Sequence, residues 1–319
     1  MIKRFLIIGD NHLDSKTPPS RLDNYMETCL QELLETLQIA KANKVDYYIL
    51  LGDIFNRISV GGECRNRALE ILSSDNGEPW PFEKYLVVGN HDIAHDPDLM
   101  EKADAQSLVS AGCVKFVDTI EGLPVRFWHF TPKLDRNLKE GVMKDFDEKI
   151  MFMHASITDR PFAFDTVLFD ELTVHPNTKL IFSGHIHKKM EAEKDGVKFI
   201  NPGSVGRNRI SDDYSKTKVS VIGLQYDFSN DEYKTKVFEL KSSLPYDVIF
   251  DVDASKAKKS ENKNTQKFLE AITSGSVADK ISGNIADDLI LFAENRNISK
   301  EVTDMAVMAI NIIQLGGEL

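Results

Sequence analysis

Strand-length apolar runs that stop at a side chain able to bind a metal, usually after a glycine, recur along this chain and limit the folds open to it. Arg4–Ile8 leads into Gly9-Asp10-Asn11-His12, Val45–Leu51 into Gly52-Asp53, and Lys84–Val88 into Gly89-Asn90-His91-Asp92. Ile150–Met153 then meets His154, and Lys179–Ser183 leads into Gly184-His185-Ile186-His187. Val45–Leu51 is mostly apolar rather than alternating, the pattern of a strand buried on both faces. In α/β sheets, ligands bind outside the carboxyl ends of the strands. Glycine lets the backbone turn sharply there, so successive side chains converge on one point. Five of the eight histidines fall in these segments.

Between the runs, Leu22 to Ala42 carries Leu22, Met26, Leu30, Leu33, Leu34 and Leu37 at helical spacing, which predicts an amphipathic helix. From Ile150 onward strands are dense: Ile150–Met153, Lys179–Ser183, Val197–Ile200, Lys218–Leu224 and Thr235–Leu240. Few helical stretches separate them, so a second, mostly antiparallel sheet is expected, packed face to face on the first with helices outside. Tyr246–Val252 reads as one more strand and the Lys-rich residues 254–267 as a linker or exposed helix start. A final helix is expected over 300–315, with Gly316 and Gly317 as C-cap residues. The division expected is a catalytic domain over 1–243 and a capping or partner-docking region over 244–319.

A chain of 319 residues holds one large α/β domain with an appendage, or two domains. Three scattered cysteines form no disulfide framework and no C-x-x-C pair, which favours a reducing compartment. The apolar run after Arg4 is too short for a secretory leader, which needs roughly 7–15 residues, and no run reaches membrane-span length. A cytoplasmic protein without a membrane partner is expected. The net charge of −11 weighs against a large basic nucleic-acid surface.

Asp, Asn and neutral His are ligands for paired borderline or hard divalent ions. Such a pair can grip both the attacking and the leaving oxygen of a phosphoryl displacement. It would also add about four positive charges where a phosphate binds, against the overall charge. Asp10-x-His12 puts two side chains on one side of an extended backbone. Alone it is a weak signal, as is Gly52-Asp53, since either suits a loop residue capping a helix. In Gly89-Asn90-His91-Asp92, Asn90 offers a neutral oxygen, His91 is left to face a leaving group, and Asp92 behind it would orient the ring and raise its pKa. The alternative is a hairpin-like turn. His154 alone reads as a satisfied core histidine, whereas His185 and His187 on one strand face have little structural purpose unless they bind something.

As one ordered set, these segments resemble the calcineurin-like metallophosphoesterase superfamily. Its pattern of D-x-H, G-D, G-N-H-[D/E], a lone His and G-H-x-H is matched in full across residues 10–187. Asn201-Pro202-Gly203-Ser204 is also similar to a family segment. The resemblance implies a four-layer αββα sandwich of two mixed β-sheets with a small C-terminal appendage. It implies that Asp10, His12 and His187 hold one metal, that Asn90, His154 and His185 hold the other, and that Asp53 bridges both. His91 would be the general acid or phosphate-positioning residue. His95, His129 and His175 match no slot and are expected on the surface or in the core.

The opening Gly9–Leu13, Arg21 and the stretch Val45–Arg57 resemble most the SbcD-type DNA-repair nuclease subunits. That resemblance implies a DNA substrate, a coiled-coil ATPase partner of the SbcC type engaged through residues 244–319, and a homodimer. Asn56 stands where those nucleases show His or Asp, a position tied to handling of the scissile strand. Arg207 and Arg209 are candidates to pair with substrate phosphates, or else solvated loop arginines. Small phosphodiesterases, cleaving cyclic nucleotides or similar diesters, are the main enzymatic rival. A scaffold that has lost its metals is disfavoured because no ligand slot is vacant. Phosphoprotein phosphatases are disfavoured by Asp92 where they carry Glu. The mechanism expected is direct hydrolysis by a water bridging two divalent ions, with His91 assisting the leaving group. An oxygen- and nitrogen-rich ligand set without cysteine favours Mn²⁺, with Fe or Zn as alternatives.

Overall fold

A computed structural model describes residues 1–210, 218–252, 299–300, 303–304 and 307. The segment 254–267, and nearly all of the helix expected over 300–315, lie outside the described residues. The chain divides into two compact units, Met1–Asp251 and Val252–Leu319, and the first holds both large sheets.

Ten strands carry it: β1 Ile2–Ile8, β2 Tyr47–Leu50, β3 Glu83–Leu86, β4 Val125–Trp128, β5 Ile150–Met153, β6 Leu180–Ser183, β7 Met190–Lys194, β8 Val197–Asn201, β9 Ser220–Asp227 and β10 Glu232–Glu239. They form two five-stranded mixed sheets, ordered β10-β9-β1-β2-β3 and β7-β8-β6-β5-β4. In the first, β1, β2 and β3 are parallel while β9 and β10 run antiparallel. In the second, β4, β5, β6 and β8 are parallel and only β7 is reversed.

Every residue of β1 from Phe5 to Ile8 is buried, and the pleat divides them between two layers. Phe5 and Ile7 face the space between the sheets, with Ile49, Phe127, Phe152, Phe182, Leu224 and Tyr226. Leu6 and Ile8 face the other way, under helix α1 (Tyr25–Ala42) and its Leu30, Leu33 and Leu37. Asn24 caps α1 by accepting from the Glu27 N–H at 3.4 Å. A third apolar layer lies outside the second sheet, where Met151, Met153, Ile181 and Phe199 meet Leu134, Leu138 and Ile157. Helix α2 (Gly62–Ser73), which the sequence reading did not foresee, packs beside α1. The result is the expected four-layer sandwich.

Two expectations are corrected. The strands after Ile150 do not make one antiparallel sheet. Four of the five strands in their sheet are parallel, and β9 crosses back to pair with β1. Apolar runs buried on both faces look alike in either orientation, so their texture does not reveal the neighbour. The strand expected over Tyr246–Val252 is a short helix, Tyr246–Ile249, entered through Pro245 at φ −55°. Ile249 and Phe250 are both buried although they are adjacent, which no alternating strand allows. Among the described residues, no helix is long and apolar enough to cross a membrane.

The Phe152 ring sits between those of Phe5, Phe127 and Phe182 at centroid distances of 6.0, 5.5 and 5.4 Å. Phe152→Ala is expected to destabilise the fold by about 3–5 kcal/mol, read by urea unfolding of the metal-free protein.

Candidate metal centre

All of the recurrent segments lie at carboxyl ends of strands. β1 ends at Ile8 before Asp10 and His12, and β2 at Leu50 before Asp53. The segment after β3 brings Asn90, His91 and Asp92, β5 brings His154, and β6 brings His185 and His187. Because these five strands are parallel within their sheets, each sheet delivers its loops to one edge. Close approach there demands glycine: a Cβ on Gly89 would stand 2.1 Å from Asp53 Oδ1, and one on Gly52 2.2 Å from His154 Nδ1. Three of the presented residues are themselves left-handed, His12 at φ 50°, Asp53 at φ 48° and His185 at φ 76°. Such backbone is uncommon outside glycine and survives where neighbours hold it in place.

Three sets of donor atoms converge to within 4.8 Å: Asp10, His12 and His187; His12, Asp53 and His91; and Asp53, His154 and His185. His12 Nε2 lies 2.7 Å from His187 Nε2. Asn90 Oδ1 lies 3.0 Å from His154 Nε2 and 2.8 Å from His185 Nδ1. Asp53 Oδ2 is 3.3 Å from His154 Nε2 and 3.9 Å from His12 Nε2, so Asp53 stands between the two groups. Every sequence-derived ligand candidate is therefore in one cluster.

Burial holds His12 down to about 3, in spite of Asp53 nearby, and His187 well below its ordinary value. Burial and the neighbouring His154 hold His185 to about 4. At neutral pH these rings are uncharged, the form that ligates metals. Burial would depress His154 too, but the carboxylates of Asp53 and Asp10 outweigh it and raise the ring to about 9. Asp53 is held well below the usual carboxylate range against its burial, chiefly by His154. Burial pushes Asp10 up to about 6. Asp10 Oδ2 is buried with no hydrogen-bond partner among the described residues. Facing imidazole nitrogens, an orphaned buried carboxylate oxygen and an oxygen–nitrogen donor set are what divalent cations would satisfy, so these residues fit the group.

Around the donors, the Asn201–Ser204 loop acts as a brace. Asn201 Nδ2 donates to the Ile186 carbonyl, and the Ser204 hydroxyl and the Val205 N–H both donate to the Asp10 carbonyl.

His91 is anchored differently from the expectation. The Asp92 carboxylate does not orient its ring; it accepts the Gly89 and Phe55 N–H groups at 2.9 and 3.1 Å. Burial, followed by the Asp53 charge, pushes Asp92 up to about 7. The His91 ring is set instead by the Asn56 carbonyl, 2.7 Å from Nδ1, while the His91 N–H donates to Asp53.

The Asn56 side chain donates to Asp14 at 3.0 Å and accepts from Asn208 at 3.1 Å. Asp14, which also pairs with Arg57, was missed; its position two residues past His12 was the available signal. Arg207 and Arg209 part company. The Arg207 guanidinium is buried, donating to Ser243 Oγ and the Leu244 carbonyl, 3.6 Å from Glu32. Arg209 is exposed, and its charge helps depress both His12 and His187.

Of the remaining histidines, His129 is structural, accepting from Val88 N–H and bonded to the Val117 carbonyl. His175 accepts from Asn177 N–H. His95 is exposed yet adjoins the cluster, with Nε2 3.4 Å from Asn90 Nδ2.

The sequence model of the Calcineurin-like phosphoesterase family matches residues 3–189, more than half of the chain. No curated protein matches it in sequence. Solved structures with a similar fold include a dimetal phosphatase from Danio rerio, 13% identical, covering 73% of this chain and 98% of that one, TM-score 0.45. The anchor protein of the Plasmodium inner membrane complex is 13% identical over 77% of this chain and 87% of that one, TM-score 0.47. An archaeal phosphodiesterase is 15% identical over 74% of this chain and 99% of that one, TM-score 0.36. The chain belongs to the calcineurin-like phosphoesterase family and is a metal-dependent hydrolase of phosphoesters.

A cation bound beside His154 must displace the proton that the ring carries below about 9. Lowering pH therefore favours the competing proton, and raising it favours the metal. Mn²⁺ affinity, measured calorimetrically at pH 7, 8 and 9, is expected to rise by up to about tenfold per unit and to level off above pH 9.

Proposed function

We propose that this protein is a two-metal phosphodiesterase that cleaves DNA. Asp10, His12 and His187 would hold one divalent ion, Asn90, His154 and His185 the other, and Asp53 would be shared. The observation that carries this reading is the presence of Asp53 in two of the three convergent donor sets. Two ions bound there would supply Lewis-acid polarisation of the phosphoryl oxygens and an activated water. Mn²⁺ is the ion we favour for this oxygen- and nitrogen-rich site.

The chain's own residues supply the rest. The Asn56 carbonyl fixes the His91 ring through Nδ1, leaving Nε2 to carry the proton that a departing sugar oxygen takes up. Asp92 keeps the His91 loop in register through Gly89 and Phe55 rather than acting on the proton. Arg209, exposed and electrostatically felt at His12 and His187, would receive a flanking phosphate. Asn56 would act through the Asp14–Asn208 network, and Arg207 by holding the loop that carries Arg209.

The choice of DNA rests on the likeness of Gly9–Leu13, Arg21 and Val45–Arg57 to the SbcD-type subunits, from which Asn56 departs. With it come an SbcC-type ATPase engaged through residues 244–319, a homodimer and a cytoplasmic setting. The three free, buried cysteines suit that compartment.

Asp53→Ala and His91→Ala are both expected to lower hydrolysis of an aryl phosphodiester by at least about 100-fold, while only Asp53→Ala strongly weakens Mn²⁺ binding. Near-parental turnover in Asp53→Ala would remove the shared-ligand role. The substrate is tested with Mn²⁺ against single-stranded DNA, double-stranded DNA and cyclic nucleotides. Cleavage of DNA is expected; cleavage of cyclic nucleotides with no action on DNA overturns the nuclease assignment.

A further inference from the structure

His12 is a left-handed, non-glycine residue, so its peptide must be gripped on both sides to stay where it is. Its N–H donates to the Asp53 carbonyl at 2.8 Å. Its carbonyl accepts from the Tyr25 hydroxyl at 2.7 Å, at the start of α1. Tyr25 is fully buried.

Tyr25 is in turn backed by Arg21. The guanidinium lies 4.9 Å from the Tyr25 ring centroid and 5.3 Å from that of Phe250. It is fixed in its own plane by a two-pronged bond to Asp23, with Nε and Nη2 each 2.7 Å from a carboxylate oxygen, while Nη1 donates to the Arg207 carbonyl at 2.7 Å. Phe250 is held against Arg21 by a backbone bridge between the two residues, flanked by Leu22 N–H to the Ile249 carbonyl and Asp251 N–H to the Ser20 carbonyl.

We propose that Tyr25 and Arg21 are positioning residues for the metal centre, and that Phe250 clamps them, so that the last segment of the first unit sets the geometry of His12. The proposal rests on the reading of His12 as a metal ligand. Tyr25 acts through the His12 carbonyl and Arg21 through the Tyr25 ring. The chain leaves the first unit at Asp251, directly after the clamp.

The test uses the full chain. Calorimetric Mn²⁺ binding and metal-free thermal unfolding are measured for the parent, His12→Ala, Tyr25→Phe and Phe250→Leu. Tyr25→Phe keeps the ring and its packing and removes one hydroxyl. It is expected to weaken the His12-dependent Mn²⁺ site, the one lost in His12→Ala, by about fivefold, the size of one net hydrogen bond. Phe250→Leu is expected to weaken the same site by a smaller factor. A lowered unfolding temperature with parental Mn²⁺ affinity in Tyr25→Phe means a purely structural role and overturns the proposal. Parental affinity in Phe250→Leu alone overturns the part assigned to the C-terminal segment. A parent that binds no Mn²⁺ overturns the metal reading itself, and the brace with it, whereas parent binding that Tyr25→Phe reproduces overturns the brace alone.

Discussion

Two carboxylates, Asp10 and Asp53, are taken almost wholly out of water within reach of the same histidine, and much of the surrounding structure answers to that. A buried charge is costly unless it is paired and hydrogen-bonded. The protein meets part of that need with backbone donors, His185 N–H to Asp10 and His91 N–H to Asp53, and with the raised basicity of His154. It leaves the rest open. One oxygen of Asp10 has no partner among the described residues, and the rings of His12, His185 and His187 are held uncharged by burial. The cluster thus has negative charge and lone pairs in excess of the protons available to it. That imbalance suits a site whose remaining partners are divalent cations.

Concentrating so many polar groups at one point constrains the backbone as strongly as the side chains. Parallel strands bring their ends to a common edge, but successive loops must then pass closer than a side chain allows. Gly52 and Gly89 meet this by leaving space where a Cβ would overlap His154 or Asp53. His12, Asp53 and His185 meet it by adopting left-handed backbone, at a cost of roughly 1–3 kcal/mol each. The stability comes from elsewhere, from the aromatic layer around Phe152 and the α1 face over Leu6 and Ile8. A rigid, strained centre is thereby carried on an apolar sandwich that has little chemical role of its own.

The parts of this design that were readable in the sequence are those fixed by short range. Each ligand candidate directly follows an apolar run, and a run that ends at the edge of a parallel sheet has one place to deliver its next residues. The parts that were not readable depend on partners distant in sequence. Nothing local to β9 says that it returns to pair with β1 rather than extending the second sheet. The Tyr246–Ile249 helix ends on the buried Ile249, and Phe250 directly after it is buried too because it packs on Arg21, more than two hundred positions away. Asp92 looked like the partner of its neighbour His91, yet loop closure claims its oxygens for Gly89 and Phe55. The task expected of it falls to a main-chain carbonyl, that of Asn56, which no residue type could have advertised.

Arg207 and Arg209 show how far spacing alone can be trusted. Both follow the Asn201–Ser204 loop, and both have the chemistry to grip a phosphate. One is drawn inward because Glu32, buried and pushed up to about 7, needs a cation beside it; the other stays at the surface near His12 and His187. Under the proposed function the distinction would bear on substrate capture. With a net charge of −11, the molecule as a whole repels a polyanion, and that repulsion is screened beyond about 8 Å at physiological ionic strength. Within that distance the potential is set by local charge. Two divalent ions would outweigh Asp10 and Asp53 together, and Arg209 would extend the positive field outward from them. Affinity for a phosphodiester would then depend on the metals being present first, because the net charge gives an anion no attraction to the molecule as a whole.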